Sequence, residues 1–290
     1  MDSLRKPPWM IKRLPPHHAI SEVRALLRRQ SLHTVCENAM CPNLGECFAR
    51  KTATFLILGD VCTRHCGYCA IASGLPSPLD PGEPARVADT AANLGLRHVV
   101  VTSVTRDDLP DGGAAHFATT IREIRDRLPK AMIEVLIPDF GGSERALELV
   151  LEAEPDILNH NVETVPRLFP SVRPQGSYHR SLELLARAKR GLPRGYTKSG
   201  LMVGLGETEA EVGKVMQDLR GVECDIFTVG QYLRPSKSHL EVKEYYTPEA
   251  FKRMKVEGEA MGFQMVASGP FVRSSYNADQ FHPQGAAVDH

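Results

Sequence analysis

The chain has 290 residues, enough for one large domain with extensions. Its 35 basic and 35 acidic side chains cancel, which removes the basic excess of a nucleic-acid binder, and its 42% of hydrophobic residues supply a core that a disordered chain lacks. No apolar run approaches the ~18 residues of a membrane span and no h-region follows the start. An odd number of cysteines then points to reduced thiols in a cytoplasmic setting, not to disulfides.

The N-terminal segment is locally basic, with Arg5, Lys6, Lys12, Arg13, Arg24, Arg28 and Arg29 against Asp2 and Glu22. It reads either as a solvated arm or as a docking surface for an acidic partner protein. Pro7, Pro8, Pro15 and Pro16 would interrupt an amphipathic presequence helix. From Thr54 onward, short β-branched runs alternate with amphipathic stretches. The predicted strands are Phe55–Leu58, His98–Ser103, Met132–Ile137, Ile157–Asn161, Gly200–Val203 and Ile226–Val229. The predicted helices are Pro84–Leu94, Ala114–Leu128, Ser143–Ala153, Tyr178–Lys189 and Glu207–Leu219, with Ser143 as an N-cap and Gly221 at a helix end. Near-continuous apolar runs such as H-V-V-V-T-S belong to strands covered on both faces. The alternation predicts an α/β fold with a parallel sheet. Its six units fall short of the about 250 residues of a full eight-unit barrel, so the expectation is a partial (β/α)6 TIM-like barrel. Residues 1–51 form an N-terminal extension, 52–266 the barrel and 267–290 a C-terminal tail.

Two cysteine triplets carry the chemistry. Cys36, Cys41 and Cys47 are spaced C-x4-C-x5-C in the extension, and Cys62, Cys66 and Cys69 are spaced C-x3-C-x2-C. The second triplet starts four residues after the first predicted strand, at the mouth where barrels place their chemistry. Three thiolates are one fewer than an iron–sulfur cube takes from protein, so each triplet predicts a cluster with one open iron. A structural zinc site normally closes with four protein ligands, which leaves a zinc shared by both triplets as the weaker alternative.

The loop D-V-C-T-R-H-C-G-Y-C, with Tyr68 before its last cysteine, resembles the signature of the radical S-adenosylmethionine enzymes. The first triplet, C-E-N-A-M-C-P-N-L-G-E-C, together with the tail R-S-S-Y, resembles the lipoyl synthase family. So do V-T-S-V-T-R-D-D-L-P-D-G-G, E-V-L-I-P-D-F, N-H-N-V-E-T, G-L-M-V-G-L-G-E-T, Q-Y-L-R-P-S and G-P-F-V-R-S-S-Y, and the likeness runs from about Val35 to Ala278. The resemblance implies two 4Fe-4S clusters. At Cys62, Cys66 and Cys69 the open iron chelates S-adenosylmethionine, whose reductive cleavage gives a radical able to take hydrogen from an unactivated C–H bond. At Cys36, Cys41 and Cys47 a tail serine, Ser275 or else Ser274, closes a cluster that serves as sulfur source. An alkoxide matches this iron less well than a thiolate does, which suits a corner that must open. Ordinary turn hydrogen bonding is the plain alternative for both serines.

The same resemblance implies insertion of two sulfur atoms at C6 and C8 of an octanoyl chain on a lysine of a lipoyl carrier domain. The carriers are 2-oxoacid dehydrogenase E2 subunits and the glycine cleavage H protein, and the electron donor is a ferredoxin or flavodoxin. No nucleic acid or membrane is a partner. Tyr68, Ser103, Gly112, Gly113, Asn161, Glu163 and Arg173 are the candidate S-adenosylmethionine contacts. Gly112 and Gly113 read equally well as a helix N-cap, Asn161 and Glu163 as surface polarity, and Arg173 as a surface ion pair. His65, His160 and Cys224 are assigned no chemistry. Met202, Met216, Met254 and Met261 read as core. Two other readings stay open: a biotin-synthase-like sulfur inserter and a noncatalytic iron–sulfur protein.

Overall fold

Most of the candidate site residues lie at or just past the C-terminal ends of the strands. The computed structural model describes residues 5–11, 17–49 and 53–275. Asp2, Lys12, Arg13, Pro15, Pro16 and Tyr276 lie outside them. Seven strands run parallel, in sequence order across one sheet: β1 Thr54–Ile57, β2 His98–Ser103, β3 Met132–Leu136, β4 Ile157–Asn159, β5 Tyr196–Val203, β6 Ile226–Gln231 and β7 Met265–Gly269. Between successive strands lie helices α1 Glu83–Asn93, α2 Ala114–Arg127, α3 Glu144–Leu151, α4 Tyr178–Gly191, α5 Glu209–Gly221 and α6 Pro248–Ala260. Six βα units followed by a closing strand make the expected partial (β/α)6 barrel. Among the described residues β7 does not pair with β1, so the barrel is open.

Local chemistry sets the helix starts. Ser143 accepts from the Ala146 N–H as predicted, and Ser177 does the same for Arg180. Thr208 and Glu211 form a reciprocal capping box at α5, and Thr247 precedes Pro248 in the first turn of α6. Val99, Val101, Ile133 and Val135 are fully buried in the core beneath the helices. Removing this much apolar surface from water, at about 25 cal/mol per Å2, is what holds the layers together.

Three features depart from the sequence expectation. Strand β5 begins at Tyr196, not Gly200, because Lys198 is buried against Glu134 and so does not mark a loop. Helix α6 is absent from the predicted elements: its buried stripe is thin, Ala250, Phe251, Met254 and Gly258, and a Cβ at Gly258 would come within 2.9 Å of Val266. The solvated-arm reading gives way over His17–Arg29, which is a helix with Val23 and Leu27 in the core. Arg24 of that helix pairs with Glu37 at 2.9 Å, while Arg28 and Arg29 face solvent. The extension joins the sheet through His33–Thr34, antiparallel to β1.

Candidate cofactor and cluster sites

The chain leaves β1 under strain. Leu58, with φ 69°, and Gly59, with φ 91°, turn it into the C-x3-C-x2-C loop. A non-glycine residue in the left-handed region costs on the order of 1 kcal/mol, and such strain gathers at functional sites. Neighbouring strand ends clamp the loop. The Thr63 N–H and hydroxyl both donate to the Thr105 carbonyl. Arg64 reaches Asp107 at 2.7 and 2.8 Å and fully buried Asp139 at 2.8 Å. Burial pushes the Asp139 carboxyl up, but Arg64 outweighs it and holds the group well below the usual carboxylate range. The Cys62 Sγ accepts N–H groups from Arg64 and Thr105 at 3.4 and 3.3 Å. On the far side the Leu240 N–H donates to the Gly67 carbonyl, and the His239 Nε2 donates to the Cys69 carbonyl at 3.0 Å. Burial pushes the Cys69 thiol up to about 12 and raises Cys66 too, so as bare thiols they are neutral. A bound metal is what converts such a thiol to thiolate.

Beside this loop the candidate S-adenosylmethionine residues converge. Glu163, with φ 67°, continues from β4 and bridges to Leu201. Burial pushes its carboxyl above the usual range, countered by Arg173 and by hydrogen bonds from Asn161 and Tyr68. Arg173 is buried and donates to the Asn161 carbonyl at 3.0 Å, so it is no surface ion pair. Asn161 is likewise buried, not surface polarity. The Ser103 Oγ and Asn161 Oδ1 are buried without a hydrogen-bond partner among the described residues. Unpaired buried polar atoms are costly unless a ligand meets them. Two of them at or past the C-terminal ends of β2 and β4 fit a polar cofactor. Gly112 and Gly113 sit in the left-handed region, φ 61° and 89°. A Cβ there would come within 2.9 Å of Phe140 and 2.4 Å of Leu58, so tight packing requires both glycines, and Gly113 is also the N-cap of α2.

The first triplet faces a separate small pocket lined by Cys36, Cys41, Asn43, Cys47, Ala53, Thr54, Arg273 and Ser275. Among the described residues no three His, Cys, Asp or Glu side chains gather as a single metal ion would need. All three cysteines of this triplet line the pocket and none of the second triplet does, so the two triplets stand apart instead of sharing one zinc. Thr54, the first residue of β1, reaches both ends of the set. Its N–H meets the Cys36 thiol and its hydroxyl donates to the Ser275 Oγ at 2.7 Å. Burial pushes Cys36 up to about 12. Arg273 brings a desolvated guanidinium beside Cys41, a favourable neighbour for an anionic cluster. Asn43 holds the tail through the Phe271 carbonyl at 2.7 Å. Ser274 turns away from this cavity and accepts from the Asn161 Nδ2 at 2.7 Å.

Sequence reasoning missed Thr54, Asn43, Arg64, Asp139 and His239. Arg64 and Asn43, each between two cysteines, carried a local signal. His65 is exposed and contacts Gln175 and Ser73. His160 is buried between the Ile137 carbonyl and Ser181 of α4. Cys224, Met216 and Met254 are core.

A three-cysteine loop after the first strand of an open (β/α) barrel, with orphan polar atoms at the ends of the second and fourth strands, defines a radical S-adenosylmethionine enzyme. The family model "Radical SAM superfamily" matches residues 56–219. The fold resembles that of Streptococcus suis SuiB bound to S-adenosylmethionine, with a TM-score of 0.58 at 11% identity over 78% of this chain and 53% of that one. The chain is 59% identical over 277 residues to the lipoyl synthase of Caldanaerobacter subterraneus subsp. tengcongensis, covering 96% of this chain and 97% of that protein. It is 56% identical over 286 residues to that of Symbiobacterium thermophilum, covering 99% and 89%. The chain belongs to the lipoyl synthase family. It is a sulfurtransferase of lipoate biosynthesis whose cofactors are S-adenosylmethionine and 4Fe-4S clusters. Among the described residues no helix is long and apolar enough to cross a membrane.

Proposed function

We propose that this enzyme inserts sulfur at C6 and C8 of an octanoyl chain amide-linked to a lysine of a lipoyl carrier domain. Cys62, Cys66 and Cys69 hold the cluster that binds S-adenosylmethionine. Cys36, Cys41, Cys47 and Ser275 hold an auxiliary cluster consumed as the sulfur source, and so a substrate. The observation that carries this reading is the cavity shared by the three N-terminal cysteines and Ser275, residues from opposite ends of the chain. When bound, the S-adenosylmethionine cluster supplies one-electron cleavage of a sulfonium and thereby hydrogen abstraction from an unactivated C–H bond.

The chain's own residues bind, orient and shield. Arg64, through Asp107 and Asp139, fixes the cysteine loop. Ser103, Tyr68, Asn161, Glu163 and Arg173 orient the cofactor's polar groups, and Gly112 and Gly113 let the loop after β2 pack closely beneath them. Leu240 and His239 cover the loop and limit water. Extension 1–51, barrel 52–266 and tail 267–290 divide the work between them. The extension and the tail supply the auxiliary ligands; the barrel supplies the radical chemistry. The carriers in this reading are 2-oxoacid dehydrogenase E2 subunits and the glycine cleavage H protein. The reductant is a ferredoxin or flavodoxin, and the setting is the cytoplasm.

The test is anaerobic reconstitution and assay on an octanoylated lysine peptide. Cys36→Ala should still cleave S-adenosylmethionine under dithionite but form no lipoyl product, and Cys62→Ala should do neither. Lipoyl product from Cys36→Ala would remove the sulfur-donor assignment. A noncatalytic iron–sulfur protein would leave S-adenosylmethionine intact in every variant.

A further inference from the structure

Two adjacent tail serines are held by different regions of the molecule. Ser275 lies in the cysteine-lined cavity under the Thr54 hydroxyl. Ser274 accepts a 2.7 Å hydrogen bond from Asn161, 113 residues earlier in the chain. Asn161 uses its amide hydrogens on Ser274 and on the Glu163 Oε1, the latter at 3.3 Å. The Glu163 contact fixes the orientation of the amide, since its oxygen needs a donor there. The Oδ1 is thereby turned inward, buried and unpartnered, where Gly200 leaves it room: a Cβ at Gly200 would come within 3.1 Å of it. One carboxamide therefore has its nitrogen on the tail and its oxygen free among the candidate S-adenosylmethionine contacts.

The register of the tail matters because the neighbours are chemically alike. A slip of one residue would exchange Ser274 for Ser275 at the cysteines. Two other described holds, on the Phe271 carbonyl and the Val272 N–H, precede the serines, and the Thr54 hydroxyl holds Ser275. The Asn161 bond acts on the serine pair itself.

We propose that Asn161 is a positioning residue shared by the two sites: by holding Ser274 it sets Ser275 toward the auxiliary cavity, and it couples S-adenosylmethionine binding to closure of that cavity. This rests on the reading that Ser275 completes the auxiliary site. Coupling between sites is reciprocal, so disturbing the tail contact must weaken cofactor binding by the same factor with which the cofactor favours tail closure.

The experiment has two arms. In the first, Cys62, Cys66 and Cys69 are all changed to Ala, so that no cofactor-binding cluster remains and Asn161 can act only through the tail. Mössbauer spectra of the reconstituted auxiliary cluster then report the oxygen-bound iron. Ser274→Ala and Asn161→Leu should each lower the ratio of oxygen-bound to open iron about fivefold, the reach of one hydrogen bond of ordinary net strength. The double variant should lose no more than either single one. Ser274→Ala removes one oxygen from a half-buried residue, and it decides the matter should Asn161→Leu misfold. An unchanged ratio in Ser274→Ala overturns the proposal. A parent with no oxygen-bound iron overturns the Ser275 reading, and the proposal with it. In the second arm, with all cysteines present, equilibrium dialysis should show the Kd for S-adenosylmethionine raised about fivefold by Ser274→Ala. An unchanged Kd removes the coupling.

Discussion

Thr54 touches two candidate ligands at once, by different groups. Its backbone N–H meets Cys36, and its hydroxyl donates to Ser275 at 2.7 Å. A hydroxyl hydrogen bond stabilises a serine oxygen that carries negative charge, and such charge-assisted bonds are stronger than neutral ones. Thr54→Val keeps the shape and the backbone contact but deletes that donor. It should leave the iron content of the auxiliary cluster unchanged and lower lipoyl product formation about fivefold, as loss of roughly 1 kcal/mol predicts. Equal iron content with equal turnover would show that Thr54 does not act through Ser275. At this scale the sequence is legible where chemistry demands rare residues at short spacing, as at the six clustered cysteines. Thr54 is not legible, because a threonine opening a strand has an ordinary reason to be there. Asp139 is not either, since a carboxylate after a strand reads as a cap until Arg64 is seen beside it.

The strands of the barrel carry a second polar set, away from the cysteines. Glu134 of β3 is fully buried and meets Lys198 of β5 at 2.8 and 3.1 Å, with Asn159 of β4 and His98 of β2 alongside. Burial pushes the Glu134 carboxyl up, but Lys198 and His98 outweigh it and hold the group at about 2. Its folded value lies below the usual 4.5, so its contribution is present above that pH and is lost as the pH falls toward 2. Lys198→Met leaves the carboxylate without its main partner and should cost about 3–5 kcal/mol, whereas combining it with Glu134→Leu should restore most of the loss. In the single variant the carboxyl rises above its unfolded value. Acidifying from about pH 7 to 5 should then stabilise the protein instead of leaving this term flat. Urea midpoints across that range decide it, and a double variant as weak as the single one would rule out the pairing as the cause. This set also explains the late start predicted for β5. Period-two and apolar-run reading finds the strand centres at His98–Ser103 and Ile226–Val229, where side chains are apolar or β-branched. It fails at Tyr196–Ser199, where Thr197, Lys198 and Ser199 are satisfied by Asp225, Glu134 and the Val162 N–H, all distant in the chain.

At the scale of the whole molecule, the barrel is the stage on which the two ends of the chain meet. The extension brings Cys36, Cys41 and Cys47, the tail brings Arg273 and Ser275, and the tail crosses the end of β6 to get there. Gly230 in that strand is what allows the crossing. Its backbone has no left-handed requirement, yet a Cβ would stand 2.1 Å from the Val272 carbonyl oxygen and 3.2 Å from the Arg273 guanidinium. Backbone cannot yield as a flexible side chain does, so Gly230→Ala should push the tail off the sheet while β6 keeps its pairing with β5 and β7. The barrel buries most of the core and should fold as before, with circular dichroism unchanged and the melting temperature lowered by only a few degrees, as for a loss of about 1–2 kcal/mol. Reductive cleavage of S-adenosylmethionine should persist at saturating cofactor, because the cysteine loop is held by Arg64, Thr105, His239 and Leu240. Lipoyl product should fall by at least about tenfold, since a displacement near 1 Å at a reacting group can cost a hundredfold. A Gly230→Ala enzyme that forms product at the normal rate would show that Ser275 need not reach the cysteines. One that loses cofactor cleavage as well would show that the tail serves the radical site directly.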